Sequence, residues 1–198
     1  AAQLPDEVVT GTLERQRRTA ALAGAVVQAA GRPWPEPRVD PRLDEYPADR
    51  ILGVLAPALA AADPSFAARV SAFHDAAGGP ERNRYFQRMF EALTAAWASG
   101  QVTHPEVEAF AAFHARVSAA FGEVTARTGS RRVAFFTSGG PIGVLVQSTL
   151  GAPPDAALAV NSRVQNASLS SFTFSAGRVA LDSFNVVEHL TPEERTFR

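Results

Sequence analysis

Apolar positions along the chain alternate between two spacings, and the switches mark its elements. Glu7-Val8-Val9-Thr10 is a short β-type run closed by Gly11. From residue 13 to 30 the spacing turns helical through Leu22, Val26 and Ala29, with Thr12 placed to cap the start and Gly31 to stop it. Pro33, Pro35, Pro37 and Pro41 then favour an extended connection over 32–42. Helical spacing predicts helices at 48–61, 64–76, 82–99 and 105–127, with breaks at Gly78-Gly79-Pro80 and Gly100. The recurring Phe73, Phe86, Phe90, Trp97, Phe110, Phe113, Val117, Phe121 and Val124 read as core. The run 132–137 is continuously apolar from Val133 to Phe136, as in a buried parallel strand. Ser138-Gly139-Gly140-Pro141 turns the chain into a helix over 142–150 that stops at Gly151. Segments 169–175 and 178–184, joined at Ala176-Gly177, read as a hairpin. Two strand–turn–helix units around a helical stretch predict an α/β domain with a mostly parallel sheet.

Composition narrows the function more than the fold. Of the 198 residues, 46% are apolar and 20% charged, and the net charge of −1 provides no field for nucleic acid or an anionic membrane. No apolar run reaches the ~18 residues of a membrane span, and the first residues have neither the basic start nor the apolar stretch of a signal peptide. Cysteine is absent, which excludes disulfides, thiolate nucleophiles and zinc–sulfur sites and fits a cytoplasmic protein. Every basic residue apart from histidine is arginine, and with abundant Ala, Gly and Pro this points to the GC-rich coding bias of a bacterial gene.

Arg15, Arg17 and Arg18 crowd the first turn of the first helix, where the positive end of the helix dipole disfavours cations unless an anion binds. Phosphate suits such a place, because a helix start offers free N–H groups and arginine adds a bidentate fork. The competing reading is surface arginines on an arginine-rich chain. Ser138-Gly139-Gly140, between a strand and a helix, would bring the backbone against a ligand at the carboxyl end of the sheet, or else make a tight turn and nothing more. Glu45 is a candidate general acid or a solvated loop residue. His74, His104, His114 and His189 show no metal-ligand spacing, and His114 reads as a packed residue. Neither a metal nor another cofactor is expected.

The order of these features resembles the histidine phosphatase (phosphoglycerate-mutase-like) family. Thr10 to Ala20, with Leu13, Arg15, Thr19 and Ala20, is similar to its Ser/Thr-x-x-Leu-x-Arg and Thr-Ala segment. Leu43-Asp44-Glu45 matches its Leu-x-Glu element, and Val133 to Ile142 its strand ending in Ser-His-Gly-Gly-x-Ile. Asn166-Ala167-Ser168, and Asn185 with His189-Leu190, resemble its closing hairpin and tail. The resemblance implies a three-layer α/β sandwich with a helical insertion over 48–127, all in one domain spanning 1–198. It implies Arg15 as a phosphate-binding arginine, Glu45 as the catalytic proton donor, Ser138 as a catalytic and phosphate-binding residue in the second histidine's place, and the helix start at Gly139 and Gly140 as the pocket floor, with Gly139 on the phosphate. A small phosphorylated substrate is the implied partner.

Two departures shape the functional expectation. The family's nucleophile lies in an Arg-His-Gly motif on its first strand, and no Arg-His-Gly occurs here. The resemblance places that motif upstream of Val8, so the chain is expected to lack the domain's first strand and helix. Its opening, Ala1 to Asp6, reads like the end of a helix and a turn. Secondly, Ser138 stands where the family's second histidine would be, as in a branch carrying Thr-Ser-Gly-Gly. Serine donates a hydrogen bond but carries no charge, a loss on the order of 10²–10³ in rate. Three readings stay open: a phosphomonoesterase working through a phosphohistidine, a binding module that has lost catalysis, and a sugar-phosphate mutase.

Overall fold

The computed structural model describes residues 4–175 and 177–197, so Ala1–Gln3, the hairpin residue Ala176 and Arg198 lie outside the described residues. The chain divides into two compact units, Ala1–Glu45 with His114–Arg198, and Tyr46–Phe113.

The first unit is built on a parallel sheet. Strand β1 (Glu7–Thr10) leads into helix α1 (Glu14–Ala29), and β2 (Arg38–Val39) lies inside the proline-rich connection. Strand β3 (Val133–Phe136) follows the helical stretch, and the order across the sheet is β2-β1-β3, all parallel. Flanked on both sides, β1 buries Val8, Val9 and Thr10. The sequence points to β3 as the buried strand, yet all four of its residues are only half-buried. The reason is position: among the described strands, β3 pairs with β1 alone and forms the edge of its sheet.

Helix α1 departs from its expected pattern in two ways. Thr12 does not cap it; the helix starts after Leu13, and Thr12 gives both its N–H (2.6 Å) and its hydroxyl (2.5 Å) to the Asp44 carboxylate. Leu22 and Val26, which carry the apolar spacing, are 59% and 72% exposed, while Gln16, Ala20 and Gly24 are buried. Glycine is required at 24 because Trp34 lies across it, with ring atoms 2.7 Å from where a Cβ would stand. A small-residue stripe, invisible to apolar periodicity, therefore turns the helix inward.

Helix α7 (Gly139–Thr149) begins directly after Ser138 and packs against the short helix α8 (Ala156–Asn161). It starts three residues earlier than its apolar pattern, because Gly139, Gly140 and Pro141 supply its first turn, where Pro141 forfeits an N–H without an intrahelical partner anyway. Strands β4 (Leu169–Ser175) and β5 (Arg178–Val186) form the expected antiparallel hairpin as a separate two-stranded sheet.

In the second unit, α2 (Ala48–Arg50) runs through a π-helical turn, Ile51–Leu55, into α3 (Ala56–Ala62). Pro57 has no N–H to close an α-type bond, and the turn before it widens so that Ala56 N–H reaches Ile51 O. Helices α4 (Pro64–Asp75) and α5 (Arg82–Ala98) pack together. Buried Tyr46, Trp97, Phe110 and Phe113 form an aromatic cluster, with centroids 5.2 Å apart for Trp97–Phe110 and 5.6 Å for Tyr46–Phe113. Helix α6 (Phe110–Thr125) starts later than the expected 105, because Trp97 Nε1 donates to Glu108 O and Val107 N donates to His104 O in a turn. Its Val117, Ala120, Phe121 and Val124 belong to the core of the first unit.

Candidate active site

Parallel β1 and β3 end side by side, Thr10 beside Phe136, so the segments after each strand converge. After β1 comes Gly11 and the start of α1; after β3 comes Thr137-Ser138 and the start of α7. The loop at 40–45 closes the group: Thr137 Oγ1 donates to Leu43 O at 2.7 Å, and Thr12 is held by Asp44. That loop is itself fixed by Asp40, a buried carboxylate accepting from Arg42 and Arg38.

Three residues expected from the sequence meet here. Arg15 Nε donates to Ser138 Oγ at 3.2 Å. Glu45 is only 7% exposed, so it is not a solvated loop residue, and its Oε2 accepts the Gly140 N–H at 3.1 Å in the first turn of α7. Ser138 is 8% exposed. At Gly139 the space a Cβ would need is taken by Asn161 Oδ1, 2.2 Å from that position. Gly139 thus lets Asn161 pack onto the helix start.

Of the other arginines in the first turn of α1, Arg17 pairs with Glu14 at 3.1 Å on an exposed surface. His114 Nε2 meets Gln147 Oε1 at 2.7 Å, and His189 Nε2 meets Ala167 O at 3.0 Å. The closing motif is drawn together by Asn185, whose Oδ1 accepts from Gln165 N and whose Nδ2 donates to Arg163 O. Asn185 holds φ of 59°, which asparagine tolerates better than most residues. Among the described residues no group of three or more His, Asp or Glu side chains could hold a metal ion, and no helix is long and apolar enough to cross a membrane.

Sequence reasoning missed Gln16. Its carboxamide is buried (2% exposed) and donates to Ser138 Oγ at 3.0 Å and to Leu43 O at 3.1 Å, while Oε1 accepts from Leu13 N at 3.2 Å. Only its place beside Arg15 in a helix's first turn could have singled it out. Two cavities among the described residues lie elsewhere. One, of about 250 Å³, is lined by Trp97, His104 and Phe110; the other, of about 650 Å³, by Phe121, Val144 and Val179.

An arginine, a helix start and a buried carboxylate are thus gathered at the carboxyl ends of parallel strands, where open α/β proteins place their sites. The chain belongs to the histidine phosphatase superfamily (branch 1), whose model matches residues 74–187. Its fold is that of two solved structures. A putative alpha-ribazole-5'-P phosphatase from Escherichia coli str. K-12 substr. MG1655 matches with a TM-score of 0.58 at 16% identity, over 93% of this chain and 75% of that one. The alpha-ribazole phosphatase from Shigella flexneri matches with a TM-score of 0.56 at 17% identity, over 92% and 74%. These likenesses show the phosphoglycerate-mutase-like α/β fold expected from the sequence. No curated protein matches the sequence.

Proposed function

We propose that this chain carries the phosphate-binding part of a phosphomonoesterase that works through a phosphohistidine. The observation that carries the reading is the contact of the Arg15 guanidinium with Ser138 at the carboxyl end of β3, two residues before Gly140, whose N–H holds the Glu45 carboxyl group. In this reading Arg15 forks onto two phosphoryl oxygens, Ser138 donates to a third, and Glu45 gives its proton to the leaving oxygen. None of these groups is a strong nucleophile, and the four histidines of the chain occupy other positions. The nucleophilic histidine is assigned to a further strand bearing Arg-His-Gly, from outside these residues, that pairs with the edge of β3. The half-buried, apolar Val133–Phe136 edge supports that place, since unpaired apolar edges favour strand addition.

The test is turnover of p-nitrophenyl phosphate and of α-ribazole 5'-phosphate by the intact protein, the latter chosen from the activity in the two structural neighbours' names. Arg15→Ala is expected to lower turnover by on the order of 10²–10³, and Glu45→Gln to slow phosphoesters with poor leaving groups most. Turnover unaffected by Arg15→Ala removes the proposal. A second reading, a phosphate-ligand-binding module without catalysis, is favoured by one observation: Ser138 is a neutral hydroxyl engaged by Arg15. Phosphate binding without turnover in the intact protein selects it.

A further inference from the structure

Resting on the phosphate-binding reading of this site, we propose that Gln16 is a positioning residue that fixes the Ser138 hydroxyl as a hydrogen-bond donor toward a phosphoryl oxygen. The partners of Gln16 settle which end of its carboxamide is which. Leu13 N–H can only donate, so it faces Oε1; Leu43 C=O can only accept, so it faces Nε2. Nε2 therefore donates to Ser138 Oγ at 3.0 Å, and Arg15 Nε–H donates to the same oxygen at 3.2 Å. A serine hydroxyl has two acceptor lone pairs and one proton. With both lone pairs taken by groups that only donate, the proton must point away from both.

The arrangement cannot easily relax. A Cβ at position 11 would stand 2.0 Å from Gln16 Oε1, so Gly11 is what lets the carboxamide lie there, and Gln16 is 2% exposed. Where the family motif would place a histidine, this chain holds a neutral group whose only remaining capacity is donation. Such a donor suits an unprotonated phosphoryl oxygen, which only accepts. It also leaves Ser138 poorly suited to accept a proton or attack phosphorus, since its lone pairs are engaged.

The experiment is a double-mutant cycle read as the dissociation constant of inorganic phosphate by titration calorimetry on the intact protein. Ser138→Ala is expected to weaken binding roughly 10- to 100-fold, the worth of a hydrogen bond to a charged group. Gln16→Met, close in volume but without donors, is expected to weaken it roughly fivefold or more alone, and by less than about twofold when Ser138 is already alanine. Equal losses in both backgrounds, or none in either, overturn the role of Gln16 and leave the phosphate site standing. An intact protein that binds no phosphate overturns the site itself and this inference with it. Should Gln16→Met fail to fold, a crystal structure of the unmutated protein with phosphate decides. Ser138 Oγ on a phosphate oxygen while Gln16 Nε2 stays on Ser138 supports the proposal; Ser138 turned off Gln16 overturns it.

Discussion

At Asp40 a single buried carboxylate accepts Arg42 Nε at 2.9 Å, Arg42 Nη2 at 2.7 Å, the Arg42 N–H at 3.1 Å and Arg38 Nη1 at 3.2 Å. The Arg42 side-chain bonds outweigh burial and hold its carboxyl at about 2 against an ordinary 3.8. A depressed acid stabilises the fold above its unfolded value and loses that contribution as pH falls through the folded one. We therefore expect about 2 kcal/mol to vanish between roughly pH 4 and 2. Urea midpoints at pH 5 and pH 2.5 check this: Asp40→Asn should flatten the drop, and an equal drop in both proteins would refute it. Residues of the candidate site were legible where chemistry and spacing coincide, as at Arg15, Glu45 and Ser138. Gln16, Asp44 and Asn161 were not, because what they hold (Ser138, Thr12 and Gly139) is far away in sequence or visible only once the strands align.

Elements followed the sequence where apolar spacing governed and departed from it where small or proline residues did. The hairpin, the strand β3 and helices α4 and α5 match their patterns closely. The inward face of α1 does not, since Ala20 and Gly24 carry no apolar signal. The π-turn before Pro57 and the early start of α7 arise from backbone hydrogen bonding, which side-chain patterns do not report. The packing of α7 on α8 gives a sharp prediction. A Cβ at Gly143 would lie 2.2 Å from the Ala157 carbonyl oxygen, an obstacle made of backbone. Gly143→Ala should therefore destabilise the protein by roughly 1–3 kcal/mol despite its better helix propensity, by forcing α8 away. A stability in urea equal to or above that of the unmutated protein would show that α8 yields freely.

For the molecule as a whole, family membership and the parallel β2-β1-β3 sheet agree with the α/β class read from two strand–turn–helix units. Apolar spacing runs without interruption through α6, whereas the compact units divide between Phe113 and His114 inside that helix. In the proposed reading, the site of Arg15, Ser138 and Glu45 would serve a histidine supplied by a strand added at β3. Its most direct test is to quench the intact protein during turnover under alkaline conditions, which preserve phosphohistidine, and to map the phosphoryl group by mass spectrometry. The account predicts one phosphoryl group on a histidine within an Arg-His-Gly segment, lost in Arg15→Ala. A phosphoryl group on His74, His104, His114 or His189, or turnover with no phosphohistidine, would contradict it.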